Sequence, residues 1–258
     1  MRLFAGGVYP ETAVHSYTKG SERARSEGEK TVRQGASPGG KRNIMRILVH
    51  ICCGPCGITV LQRLLEAEHE PCGFFFNPNI HPLAEYVRRR EGAVRVAERL
   101  GVPLILADAL PEGEQLWDDP WLAGRRDPVF SPGMEAFPLP AAANVAFWLR
   151  AVSGREGERC GFCWRVRLRK TALLAAAGGY EGFTSSLLYS RYQNHEVIRG
   201  LGESMAEPAG PVFVYEDFRT SWQDGIRISK DWGIYRQPYC GCLFSEYDRY
   251  SRDFARLR

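Results

Sequence analysis

Cysteine is the residue type whose number and spacing in this chain point to chemistry, with eight among 258 residues. Three fall within five positions, in Ile51-Cys52-Cys53-Gly54-Pro55-Cys56-Gly57. That stretch joins an apolar run to a helical pattern, so its thiols are expected at a strand-to-helix turn. Unpaired backbone N–H groups and the positive end of the helix dipole at such a turn lower thiol pKa values and favour anionic ligands. A second pair, in Cys160-Gly161-Phe162-Cys163, has the two-residue gap that lets both sulfurs face one metal or cluster, again ahead of a predicted helix. The third, in Tyr239-Cys240-Gly241-Cys242, is compatible either with two ligands on one metal or with a strained, easily reduced small-ring disulfide. Cys72 lies within an apolar run and reads as a small core hydrophobe.

Four thiolates serve both structural zinc and a 4Fe-4S cluster. Adjacent cysteines such as Cys52 and Cys53 suit a zinc knuckle poorly, and zinc has no need of a nearby redox pair. The iron–sulfur reading is therefore preferred.

Two polar stretches follow other predicted strand ends. In Phe76-Asn77-Pro78-Asn79-Ile80-His81-Pro82, two prolines and two asparagines fix a rigid loop suited to a polar ligand. Asn77, Asn79 and His81, with Tyr86 just beyond, are the candidate contacts. In Ser190-Arg191-Tyr192-Gln193-Asn194-His195-Glu196, Tyr192 and Gln193 offer an aromatic face and an amide for stacking on and bonding to a nucleobase. Asn194 reads equally well as a helix N-cap.

The elements that must position these residues alternate. Strands are expected at 46–50, 72–76, 104–106, 182–185 and 212–215, and helices at 57–68, 82–100, 165–177 and 194–201. This β-α-β-α-β order predicts an α/β fold with a parallel, doubly wound sheet and helices on both faces, in which ligands sit beyond the carboxyl ends of the strands. Residues 1–44 are rich in Gly, Ser, Lys, Arg and Glu and are expected to be a disordered leader or a mis-assigned start, with Met45 opening the folded chain. Residues 45–258 are read as a single α/β catalytic domain. It is interrupted at about 107–141 by an irregular, Pro-rich insertion carrying Trp117, Trp121, Phe130 and Phe137.

The formal charge is +4, but residues 1–44 hold eight Lys/Arg against four Asp/Glu, which leaves 26 of each sign (34 − 8 and 30 − 4) for the rest. Global charge thus gives no argument for nucleic acid. Arg88, Arg89, Arg90, Arg95 and Arg99 on one predicted helix, and Arg165, Arg167, Arg169 and Lys170 on another, form either local basic patches or solvated helix faces. No run approaches the roughly 18 apolar residues of a membrane span, and the first residues lack a secretory pattern. A cytoplasmic protein with no membrane partner is expected.

Taken together, the His50-to-Cys56 turn, the Asn77-to-Pro82 loop with Glu85 and Tyr86, Cys160 and Cys163 leading into Arg165, Arg167 and Leu168, residues 183–188 with Tyr192, Gln193, His195 and Glu196, residues 215–219, and Tyr235-Arg236-Gln237-Pro238-Tyr239-Cys240-Gly241-Cys242 resemble the QueH family of epoxyqueuosine reductases over about 45–247. The resemblance implies a sheet of the adenine-nucleotide-hydrolase-like (HUP) layout. It also implies an oxidoreductase that removes the epoxide oxygen of epoxyqueuosine at the wobble position of tRNA, the last step of queuosine biosynthesis. By the same resemblance Cys52, Cys53, Cys160 and Cys163 would ligate a 4Fe-4S cluster, an additional iron would sit beside it with Cys56 as its candidate ligand, Cys240 and Cys242 would form a redox-active disulfide, and an external donor would supply electrons. Two other readings differ in testable ways. An ATP-using tRNA sulfur transferase needs a Ser- and Gly-rich loop where Cys52-Cys53-Gly54-Pro55 stands, and a zinc-stabilised RNA-binding module would be colourless.

Overall fold

Ile47, Leu48, Val49 and His50 are all fully buried, as a strand covered on both faces requires. They belong to β1 (Arg46–His50), the centre of a five-stranded parallel sheet with β2 (Glu70–Phe75), β3 (Leu104–Leu106), β4 (Gly182–Ser185) and β5 (Val212–Phe213) in the order β3-β2-β1-β4-β5. The computed structural model describes residues 43–107, 140–206 and 208–256. The leader expected at 1–44 falls outside the described residues as far as residue 42, and so does the expected insertion over 108–139.

Alternation along the strands builds two cores. Ile47, Val49 and Phe75 pack with residues of α1 (Gly54–Glu66) and α2 (Leu83–Leu100), while Leu48, Phe74 and Phe183 pack with residues of α3 (Pro140–Val152) and α4 (Arg159–Ala177). The sheet is therefore an α/β sheet wound on both faces. Three further helices, α5 (His195–Met205), α6 (Trp222–Asp231) and α7 (Leu243–Ala255), complete the described chain. Among the described residues, no helix is long and apolar enough to cross a membrane.

Two helix starts lie earlier than the sequence reading placed them. α1 begins at Gly54 because Pro55 is compatible with a first helical turn, where its missing N–H would be unpaired in any case. α4 begins at Arg159, so Cys160 and Cys163 lie inside its first turns and not ahead of it. Asn194 is the N-cap of α5, its Oδ1 accepting from the Val197 N–H at 3.2 Å.

Candidate active site

The connections from β1 run outward through β2 to β3, whereas β4 returns to the other side of β1, pairing His50 with Ser185. Chains leaving two such neighbours diverge and open a crevice at their carboxyl ends. β1 feeds the Cys52 turn into that crevice, and β4 feeds in Ser185 and Ser186. The Ser186 Oγ accepts from the Cys52 N–H at 3.0 Å and donates to the Cys52 sulfur at 3.3 Å. Fully buried His50 bridges the ends of three strands, with Nδ1 2.9 Å from Ser185 Oγ and Nε2 2.9 Å from the Phe76 carbonyl. Its burial lowers its pKa to about 4, so the ring is neutral near pH 7.

Each cysteine cluster meets the start of a helix. Cys53 is the N-cap of α1, Cys160 and Cys163 lie in the first turns of α4, and Cys242 is the N-cap of α7, its sulfur accepting from the Ser245 N–H at 3.4 Å. Cys52, Cys53 and Cys56 have all three sulfurs within 4.8 Å of one another, with Cys53 3.9 Å from Cys52 and 3.0 Å from Cys56. Cys160 and Cys163 do not join that triad. Their electrostatic environment instead contains Cys240 and Cys242, while that of Cys240 contains Cys52, so the three clusters lie near one another. Cys72 is buried in the sheet, packed in the apolar core and hydrogen-bonded with Tyr180, in keeping with a packing role.

The lowering of thiol pKa expected at these helix starts holds for Cys53. Hydrogen bonding with the Cys52 and Cys56 thiols, with help from Arg89, holds it well below the usual range against the effect of burial. The hydrogen bond with Cys53 raises Cys52, and those with Cys52 and Cys53 push Cys56 well up. Burial dominates elsewhere, pushing Cys163 up to about 12 and raising Cys160 and Cys240. Dense surroundings raise Cys240 even though part of the residue is open to solvent. Protonated buried thiols of this kind are sites that a metal converts to thiolates on binding.

Two arginines on the predicted basic helices are neither surface patch nor solvated face. Arg167 is 1% exposed, donates from Nε to the Cys163 carbonyl at 3.1 Å, and is attracted chiefly by Cys163, Cys240 and Cys52. Arg89 is 3% exposed, pairs with Glu85 at 2.6 Å, and is attracted by Cys53 and Cys240. A buried cation is costly unless negative charge offsets it. Thiolate-ligated iron–sulfur clusters carry such charge, so the sulfur donors and both cations fit the group implied by the sequence. Side-chain burial of these arginines was not legible from composition; only their i, i+4 relation to Glu85 and Cys163 hinted at inward-facing partners.

The candidate substrate contacts divide. Asn77 is buried and donates to the Ile51 carbonyl at 2.9 Å, tying its loop to the Cys52 turn. Asn79 is 1% exposed, and both polar atoms of its amide, like Nε2 of half-buried His81, lack a hydrogen-bond partner among the described residues. Tyr86 is buried in the core with its ring edge-on to Phe75. Tyr192 is 85% exposed beside Trp222, and the Gln193 Oε1 accepts from the Trp164 indole at 2.6 Å, next to Cys163 in sequence.

Three thiol clusters at the sheet reversal of a doubly wound α/β protein define a class: a cysteine-based enzyme with its chemistry at the carboxyl ends of β1 and β4. Comparison with known proteins narrows the class. The family model described as "Epoxyqueuosine reductase QueH" matches residues 47–117 and 139–248. Proteins named epoxyqueuosine reductase QueH are similar to the chain in Thermotoga maritima, 31% identical over 79% of this chain and 91% of the relative. Others occur in Haemophilus influenzae, at 34% over 79% and 72%, and in Acinetobacter baylyi, at 33% over 80% and 83%. The chain belongs to the QueH family of epoxyqueuosine reductases, a family of oxidoreductases in queuosine biosynthesis.

Proposed function

We propose that this chain reduces epoxyqueuosine to queuosine at the wobble position of tRNA in the cytoplasm, with Cys52, Cys53, Cys160 and Cys163 holding a 4Fe-4S cluster, Cys56 available to an additional iron beside it, and Cys240 with Cys242 as a redox-active pair. The observation that carries the reading is the proximity of three cysteine clusters to buried Arg167 and Arg89 beyond the carboxyl ends of β1 and β4.

The reaction removes one oxygen as water: two C–O bonds break, a C=C bond forms, and two electrons and two protons are consumed. Oxidation of the Cys240 and Cys242 thiols to a disulfide releases the same two electrons and two protons, and an external donor restores the dithiol. When bound, the cluster supplies one-electron steps. The chain's own groups do the rest. Ser186 holds the Cys52 turn, neutral His50 ties Ser185 to the Phe76 carbonyl, the buried Asn79 amide and His81 Nε2, without hydrogen-bond partners among the described residues, would serve as polar contacts for a hydroxylated ring once it enters, and exposed Tyr192 offers a face for a base of the anticodon loop.

The test is anaerobic purification with iron, sulfide and zinc analysis, then turnover on tRNA carrying epoxyqueuosine. About four irons and four sulfides per chain, a band bleached by dithionite, and formation of queuosine are expected. Cys240→Ser abolishes turnover and leaves the absorbance intact. Stoichiometric zinc without sulfide, in protein kept free of oxygen, overturns the cluster assignment.

A further inference from the structure

The main chain of the Cys-Gly-Cys turn is gripped at each of its carbonyls. Arg89 donates from Nη1 to the Cys240 carbonyl at 2.7 Å and from Nη2 to the Tyr239 carbonyl at 3.2 Å. The His81 N–H donates to the Gly241 carbonyl at 3.1 Å, and the Ser245 Oγ donates to the Cys242 carbonyl at 2.8 Å. Gly241 has φ 116°, and a Cβ there would lie 2.7 Å from Arg89 Nη1, so both the conformation and the close approach of the guanidinium need glycine. Arg89 is itself held: its Nε donates to Glu85 Oε1 at 2.6 Å, and the Tyr235 hydroxyl donates to Glu85 Oε2 at 2.6 Å. Glu85 and Arg89 are both more than nine-tenths buried.

We infer that Arg89, braced by Glu85 and Tyr235, is a positioning residue that sets the thiol–disulfide equilibrium of Cys240 and Cys242, an inference that rests on reading this pair as redox-active. Joining two cysteines across one residue requires the turn to bring their Cβ atoms together. The fork of Arg89 holds the carbonyls on either side of the Cys240 α-carbon while both thiols are free, so closing the small ring has to work against those two hydrogen bonds. Its positive charge also lies where it stabilises a thiolate at Cys240. Both effects favour the reduced pair, so removing the fork moves the equilibrium toward the disulfide, the direction that lowers the reduction potential.

The experiment equilibrates cluster-loaded enzyme with reduced and oxidised dithiothreitol, whose own S–S bond breaks or forms with the same two electrons and two protons. Free thiols are then alkylated, and the peptide carrying Cys240 and Cys242 is quantified by mass spectrometry. Arg89→Met is expected to shift the equilibrium at least tenfold toward disulfide, about 30 mV. Arg89→Lys keeps the charge but cannot span two carbonyls, and should shift it at least threefold in the same direction. Tyr235→Phe, which removes only the brace on Glu85, should shift it measurably and less.

Wild-type equilibria in Arg89→Met and Tyr235→Phe overturn the inference. A shift in Arg89→Met with none in Arg89→Lys assigns the effect to charge and overturns the positioning role. If Arg89→Met does not accumulate folded, Arg89→Lys and Tyr235→Phe carry the test. The equilibrium is read without turnover. Full activity in Cys240→Ser would thus sink the proposed role of the pair while leaving the effect of Arg89 on it separately measured.

Discussion

Gly54 is where packing between helices becomes a constraint on the thiols. It is the first residue of α1, directly after Cys53, and a Cβ built on it lies 2.6 Å from the Gly92 carbonyl oxygen of α2 and 2.8 Å from Ile234 Cγ2. Ordinary contact begins at 3.4 Å, so Gly54→Ala requires a displacement of 3.4 − 2.6 = 0.8 Å. The obstructing atom is backbone in the middle of a helix and cannot rotate aside, so α1 must move, carrying Cys53 and Cys56 with it. Overpacking of this kind costs about 1–3 kcal/mol, which corresponds to roughly 2–12 °C in Tm for a domain of this size. The assay pairs thermal unfolding, followed by circular dichroism, with iron analysis of anaerobic protein. The expectation is a lower Tm together with iron below the wild-type content. Gly200→Ala is the control, since nothing lies within 4 Å of its Cβ in α5 and the helix should gain stability by up to about 1 kcal/mol. If Gly54→Ala melts with the wild type and holds the same iron, close packing of α1 on α2 is not what places these thiols.

β1 was legible because a strand covered on both faces is a continuous apolar run, and β3 and β4 also fall where the sequence predicts them. Three helices were not legible for different reasons. α3 starts at Pro140, and the prolines around it read as an irregular insertion, although Ala141-Ala142-Ala143 begins a strongly helical run. α6 contains Gly225, a poor helix former retained because a Cβ there would collide with the Tyr189 ring and hydroxyl. α7 mixes Tyr, Phe, Asp and Arg with no long aliphatic stripe. Its tie to the core runs through Phe244 against Trp148 and Arg159 to Asp248, contacts between residues far apart in sequence. In the candidate site, cysteine spacing announced all three clusters, because few structural roles demand thiols so close together. What spacing could not announce was the pair of buried arginines. Arg88, Arg89 and Arg90 are identical as letters, and only the packing of α2 turns the middle one inward, onto Glu85 and the Cys240 carbonyl.

The buried charge of Arg167 predicts a redox effect. Arg167→Met, of similar shape but neutral, should lower the reduction potential of the proposed cluster by at least ~60 mV, a tenfold step for one electron, in a titration followed by electron paramagnetic resonance. An unchanged potential would show that the guanidinium does not face the cluster charge. The last prediction concerns pH and follows from His50, whose folded pKa of about 4 lies below its ordinary 6.5. Because the unfolded chain takes up the proton first, the contribution of this group is fully present above pH ~6.5 and is lost as the pH falls toward 4. At about 1.4 kcal/mol per pH unit, the whole effect is about 3 kcal/mol. Urea midpoints of metal-free protein should fall steadily between pH 7 and pH 5. His50→Gln, with an amide that does not titrate there, should weaken the protein at pH 7 and flatten that slope. An equally steep slope in the variant would move the titration to other groups and would leave buried His50 as a hydrogen-bonding spacer between Ser185 and Phe76 with no part in the acid sensitivity of the fold.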